Sequence, residues 1–427
     1  MRTLVVNVGE LAHISRGDIS RPLKGGDMSD KEQHVSEKGL GILIEGGIIT
    51  KISGSDELIS EYAPSWDGGK VTNEANVIDA NGKAVIPGFV DSHTHLIWDG
   101  DRSNEISLRQ KGMSYSEIAS LGGGIAKTVR STRQCSFQEL IDIGINNVNK
   151  ALSLGTTTLE AKSGYGLDLE TEISILNAYK AIDAKSQCDI HSTWLGAHDV
   201  PSGVKKEDYV DELINEQLPL VSQMGIARWA DVFCEPGWFT IEESREILLA
   251  AKTLGLESRV HVDEFVDSGG LLMASELGSV SADHVACSND ESRATADHAG
   301  VMQTFLPGTQ YVLGMDDFPP IRDCLENSWA FSIATDFNPN CNSISMPFVG
   351  SLATHRCGID PTAALVACTR NPATTFTDGS KPNIGVLMEG ASASMNILNT
   401  ERVDGWCQSP GMNPISLTIA NGNIVKW

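Results

Sequence analysis

The triplet His93-Thr94-His95 closes an apolar run, Ala84-Val85-Ile86-Pro87-Gly88-Phe89-Val90. Residues two apart on a strand face the same way, so both imidazoles are expected on one side of a strand end, able to hold one metal ion. Two later β-rich segments contribute His261 and Asp336. Three neutral imidazoles and one carboxylate suit a borderline divalent ion such as zinc or iron, with a position left for water. Such an ion makes water reactive at neutral pH, which is the chemistry of hydrolysis. Asp336 can both touch the ion and orient the water, and His284 can share the proton work. Any one of these histidines alone reads as a hydrogen-bonded structural residue. Their conjunction, in chain order, carries the reading.

The elements that must position them alternate between β-rich and helical segments. Strands are expected at 84–95, 156–162, 191–198, 229–235, 258–264, 280–284, 302–306 and 329–336. Apolar residues at helical spacing predict helices over 137–154, 170–184 and 242–254. Eight such alternations predict an α/β fold, a (β/α)8 TIM-type barrel. Polar residues gather where the strands end: His93, His95, Glu160, His198, Glu235, His261, Glu264, His284 and Asp336. Barrel active sites lie at that rim. Glu235 reads as a supporting carboxylate rather than a second metal's ligand, so one ion is expected. The run Gly122-Gly123-Gly124 lacks the ending of a phosphate loop and is expected to form a flexible flap beside the pocket.

The two chain ends resemble each other. Residues 41–52 and 417–426 each place Gly-Gly or Asn-Gly between alternating apolar residues, the pattern of a hairpin. They predict one small β-sandwich domain built from both termini, residues 1–86 and 379–427, around a barrel of 87–378. Residues 14–38 are polar and read as a mobile loop inserted in that domain.

The 427 residues carry a net charge of -24, which argues against nucleic acid or an anionic membrane as partner. An anionic small-molecule substrate would need a local cationic anchor. The N-terminal apolar run is short for a signal peptide, and no stretch approaches the ~18 apolar residues of a membrane span. Nine cysteines without Cys-x-x-Cys spacing fit reduced thiols in a cytoplasmic protein. A homodimer is expected.

The segment Pro87-Gly88-Phe89-Val90-Asp91-Ser92-His93-Thr94-His95 resembles the first-strand signature of the amidohydrolase superfamily. Within it, the chain is similar to the imidazolonepropionase family of histidine degradation. The likeness runs through Lys162-Ser163-Gly164-Tyr165-Gly166-Leu167, Leu195-Gly196-Ala197-His198, Ser281-Ala282-Asp283-His284, Leu306-Pro307-Gly308-Thr309 and Asp336-Phe337-Asn338-Pro339. It implies metal-dependent hydrolysis of 4-imidazolone-5-propanoate to N-formimidoyl-L-glutamate. Carried over by position, it gives His93, His95, His261 and Asp336 as metal ligands. It places Arg102, Tyr165, His198, Glu264, Asn338, Asn340 and Cys341 around the substrate.

The residue chemistry agrees. Arg102 can pair bidentately with a propionate, although a surface salt bridge is the usual fate of a loop arginine. Tyr165, between two glycines, reads as part of an exposed turn rather than as core. His198 can donate to the ring carbonyl or carboxylate. Glu264 can hold the ring nitrogens and move a proton as the C–N bond breaks, or it can simply orient His261. Glu264, His284 and Asp336 are thus the catalytic candidates. In the family's pattern Gly and then Ser or Thr follow Asp-Phe-Asn-Pro; here Asn340 and Cys341 stand there, Asn being the best substitute for glycine at a positive-φ turn. Other readings are another amidohydrolase acting on a small carboxylate-bearing cyclic amide, a non-catalytic barrel binding a small acid, and a metal that only staples the barrel.

Overall fold

The computed structural model describes residues 2–69, 75–376, 379 and 381–425. Eight parallel strands succeed one another in chain order: β1 (Phe89–Asp91), β2 (Thr156–Lys162), β3 (Asp189–Ala197), β4 (Ala227–Cys234), β5 (Glu257–Val262), β6 (Ser281–His284), β7 (Met302–Phe305) and β8 (Phe331–Ile333). The β1 and β8 edges meet just beyond their ends. Thr94 and Phe337 form a parallel bridge, and the His95 amide donates to the Phe337 carbonyl at 2.8 Å. The Asp91 carboxylate accepts from both the amide and the hydroxyl of Thr335, at 3.0 and 2.6 Å. The expected barrel is therefore present, and its seam lies at the metal-binding motif.

Helices return the chain between strands, and their starts are written locally. Phe137–Ser153 begins at Ser136 and Ile241–Thr253 at Thr240, each with a glutamate three residues on completing a capping box. Leu169–Asp183 begins at Asp168, whose carboxylate accepts from the Thr171 amide.

The two chain ends build a β-sandwich, as expected. Arg2–Val6, Leu40–Glu45, Ile48–Gly54 and Asn76–Asp79 form one sheet. Leu11–Ala12, Val35–Ser36, Val85–Pro87, Met395–Leu398, Ile415–Ala420 and Asn423–Ile424 form the other. Val5, Ile42, Ile44, Val85, Met395 and Ile419 fill the space between them. The two predicted hairpins lie in different sheets; Lys426 of the second is outside the described residues. We propose 1–86 and 379–427 as the small domain and 87–378 as the barrel, residue 378 lying outside the described residues.

Two expectations are corrected. The first predicted strand, 84–95, is split. Val85–Pro87 pairs with Met395–Ile397 in the small sheet, and only Phe89–Asp91 enters the barrel. Pro87 has no N–H to continue a ladder. Gly88 is pressed on β2, where a Cβ would stand 2.2 Å from the Thr157 hydroxyl. The segment 14–38 is not a loose loop. It forms the short helices Gly26–Ser29 and Lys31–His34, and Ile14, Leu23, Met28 and His34 are buried. Arg370 gathers its backbone by donating to the carbonyls of Ile14, Arg16, Asp18 and Arg21. The Asn371 side chain holds both the amide and the carbonyl of Leu23. Partners 350 residues away are invisible to local composition. Among the described residues, no helix is long and apolar enough to cross a membrane.

Candidate metal centre

The rim brings the predicted ligands together. His93 and His95 follow β1, His261 lies in β5, and Asp336 follows β8 with φ +51°. A non-glycine residue at such a φ is strained and is held there by its surroundings. Asp336 Oδ1 lies 3.5 Å from His93 Nε2 and 3.7 Å from His95 Nε2. His95 Nε2 lies 3.4 Å from His261 Nε2. His284, ending β6, brings a ring nitrogen within 4.8 Å of nitrogens of His93 and His261. All of these side chains are buried.

Burial, above all, pushes the pKa of His93, His95 and His284 well below the ordinary histidine value, and the nearby Lys162 charge acts in the same direction. The imidazoles are therefore neutral, each with one lone pair to offer. His93 Nδ1 is engaged by Asp283 Oδ2 at 2.7 Å, whereas its buried Nε2 has no hydrogen-bond partner among the described residues. An orphaned nitrogen facing two more imidazoles and a carboxylate fits a divalent ion.

Supporting groups that sequence reading passed over lie directly behind. Asp231 Oδ2, from β4, stands 2.9 Å from His261 Nδ1. Lys162, from β2, is fully buried between Glu160, Asp231 and Asp283. The Thr309 hydroxyl donates to Asp336 Oδ2. Glu172 accepts from the backbone amides of Gly164, Gly166 and Leu167. Alternation along β2 does put Glu160 and Lys162 on one face; nothing local says that it faces the barrel interior.

Above the ligands opens a small cavity of about 50 Å³, lined by Arg102, Tyr165, His198, Glu264, Asn338 and Asn340 among others. Arg102 is no surface residue: it is buried, and Glu105 accepts from its Nε and Nη2 at 3.0 and 2.9 Å. The other Glu105 oxygen takes the Gly124 amide, so the glycine run starts the helix Gly124–Thr132, whose Ile125 also lines the cavity. Tyr165 is buried, not in an exposed turn, because its loop folds inward around Glu172. The His198 ring stacks on His95 with centroids 4.9 Å apart, and its Nδ1 lies 2.9 Å from the Gly164 carbonyl. Burial brings its pKa down to about 3.

Glu264, two residues past β5, has its amide held by Glu235, which also accepts from the Phe265 amide at 3.2 Å. Glu235 thus serves as a supporting carboxylate, the role read for it from sequence. Burial, then the Asp336 charge, raises the Glu264 carboxyl well above the carboxylate range, and His284 Nε2 is 3.7 Å away. The Asn338 carboxamide is spent locally: it donates to the Asp336 carbonyl and accepts from the amides of Asn340 and Cys341. Asn340 is not at positive φ; its side chain accepts from Arg109 at 2.7 Å. Cys341 is buried behind the cavity, its thiol 3.6 Å from the Thr335 carbonyl, and is not part of the lining.

A cluster of histidines and an aspartate able to hold a metal ion, on a (β/α)8 rim, defines a metal-dependent amidohydrolase. The Amidohydrolase family model matches residues 76–133. An adenosine deaminase from Xanthomonas campestris with bound zinc superposes with TM-score 0.68 over 99% of this chain and 92% of its own, at 15% identity. A 5-methylcytosine deaminase from Klebsiella pneumoniae gives 0.71 over 99% and 98%, at 16% identity. These two share the fold alone. Sequence relatives are more particular. Imidazolonepropionases of Symbiobacterium thermophilum and Haloarcula marismortui are 38% and 37% identical, covering 99% and 90% of this chain and 96% and 89% of theirs. The chain belongs to the imidazolonepropionase family.

Proposed function

We propose that this chain hydrolyses the cyclic amide C–N bond of 4-imidazolone-5-propanoate, giving N-formimidoyl-L-glutamate. The observation that carries the reading is the convergence of His93, His95 and His261 with Asp336 under a cavity walled by Arg102 and Tyr165. These four residues would hold one zinc or iron ion. When bound, the ion polarises the ring carbonyl and makes water nucleophilic near pH 7.

The protein side chains do the rest. Arg102, held at the cavity wall by Glu105, pairs with the propionate. Tyr165 and His198 close over the ring. Asp336 Oδ1 takes the proton of the attacking water; its Oδ2 is occupied by Thr309. Glu264, kept protonated by burial, gives its proton to the departing ring nitrogen. The proton that Asp336 takes from water balances the one Glu264 gives up, and neutral His284, its Nε2 3.7 Å from Glu264, stands ready to relay it.

The test is loss of ring absorbance from freshly prepared 4-imidazolone-5-propanoate, before and after chelation and after restoring zinc or iron. Turnover that stops on chelation and returns with one metal is expected. A fully metallated protein without turnover would refute the substrate and point to another small cyclic amide.

A further inference from the structure

We propose that Lys162 is a positioning residue that presents two imidazoles, His93 and His261, to the ion. The inference rests on the metal-centre reading above. The Lys162 ammonium lies in the barrel interior, 2.7 Å from Asp231 Oδ2, 2.9 Å from Glu160 Oε1 and 3.5 Å from Asp283 Oδ2. The same Asp231 oxygen stands 2.9 Å from His261 Nδ1, and the same Asp283 oxygen 2.7 Å from His93 Nδ1. Each oxygen is thus shared between one ammonium and one imidazole. Two rings from β5 and from beyond β1 are tied to a single cation on β2.

The consequence is chemical. The Asp283 oxygen is hydrogen-bonded to His93 Nδ1, and the Asp231 oxygen lies 2.9 Å from His261 Nδ1, so in both rings the Nδ1 edge is turned to a carboxylate and Nε2 is left for the rim. Three carboxylates cannot share a dry interior without compensation. Apart from the imidazoles, Lys162 is the one cationic side chain within 4.0 Å of Asp231 or Asp283 among the described residues. Arg259, the other buried cation nearby, is directed elsewhere. Its guanidinium donates to the Ser281 and Thr375 hydroxyls and lies 4.2 Å from the Trp229 ring centre. Lys162 does not line the cavity, so its effect on the reaction passes through the two histidines.

The experiment measures Zn2+ affinity of the full-length chain by chelator competition, alongside histidine-ring 1H–15N correlations of the metal-stripped protein. Variants are E160Q, K162M, K162R and the double variant E160Q/K162M. The double variant removes one positive and one negative charge together, so that the interior keeps its balance if K162M alone does not fold. E160Q is expected within about threefold of the parent. K162M and E160Q/K162M are expected to bind zinc about 10–100-fold more weakly, the usual cost of losing a group that orients a ligand. The Nδ1–H signals of His93 and His261, present in the parent, should be lost or exchange-broadened, and K162R should recover most of the affinity. A folded E160Q/K162M protein with parental zinc affinity and unchanged ring signals would overturn the proposal. A parent chain that binds no zinc would instead bring down the metal-centre reading, and Lys162's role with it.

Discussion

Replacing Glu172 by Gln tests how the pocket wall is held. Glu172 is fully buried beneath the loop that carries Tyr165. Its Oε1 accepts from the amides of Gly166 and Leu167 at 2.7 and 2.9 Å, and its Oε2 from the Gly164 amide at 2.9 Å. The Gly164 carbonyl in turn meets His198, so one carboxylate positions two residues of the cavity wall. In Glu172→Gln the amide oxygen can keep the Oε1 pair and the longer 3.2 Å bond from the Gly164 amide, while the NH2 group faces that same N–H, donor against donor. One charge-assisted bond is lost and the buried Gly164 N–H is left with only its longer one against a facing donor, together about 2 kcal/mol. If all of that falls on the closed form of the loop, kcat/KM drops about 30-fold, mostly through KM. Glu172→Ala orphans all three amides and should lower stability by about 3–5 kcal/mol. Steady-state kinetics with a metal titration and urea unfolding would separate the two effects. A Gln variant with parental KM and parental stability would show that the loop is held by something other than Glu172.

Glu264→Gln should lower kcat about 10²–10⁴-fold, the usual worth of a positioned acid, with metal content unchanged; kcat within threefold of the parent would exclude Glu264 as proton donor. Arg370→Met should cost about 3 kcal/mol, because four backbone carbonyls lose their donor. Limited proteolysis should then cut first within 14–38, and an unchanged urea midpoint would argue against that role. The same segment is expected to loosen in acid. Burial lowers the pKa of His34, within it, and of His13, packed beside it on Ser36, below 6.5, so the unfolded chain takes up protons first as pH falls. Stability present above pH 6.5 is lost as pH drops toward the folded pKa values. Hydrogen exchange of 14–38 at pH 7 and pH 5.5 reads this directly, and substituting both histidines with Asn should remove the pH dependence.

Much of the centre was legible because its ligands end strands. His93, His95, His261, His284 and Asp336 each close or follow a short β-rich run, and the barrel rule then places all of them on one rim. The helices of 137–153, 169–183 and 241–253 were legible for a similar reason: cap residues and apolar spacing are local signals. Tyr165 shows where locality fails. Two flanking glycines predict a free turn, but Glu172, itself on the following helix, turns the loop inward. Residues 14–38 fail in the same way, since Arg370 and Asn371 supply the partners that their composition lacks.

The buried ions make the sharper case. Asp231 and Asp283 lie 69 and 121 residues from Lys162 along the chain, yet both carboxylates come within 3.5 Å of its ammonium. A lysine or aspartate read singly belongs on the surface, because burying an unpaired charge is costly. Only closure of the barrel brings β2, β4 and β6 to face one another and makes burial affordable. The ligands can therefore be named from the strand ends, but the groups that aim them cannot, because each gains its role from the others. That is why Lys162 deserves the first substitution after the ligands themselves: a metal centre whose imidazoles are aimed by a shared cation should weaken when the cation is removed, even with every ligand in place.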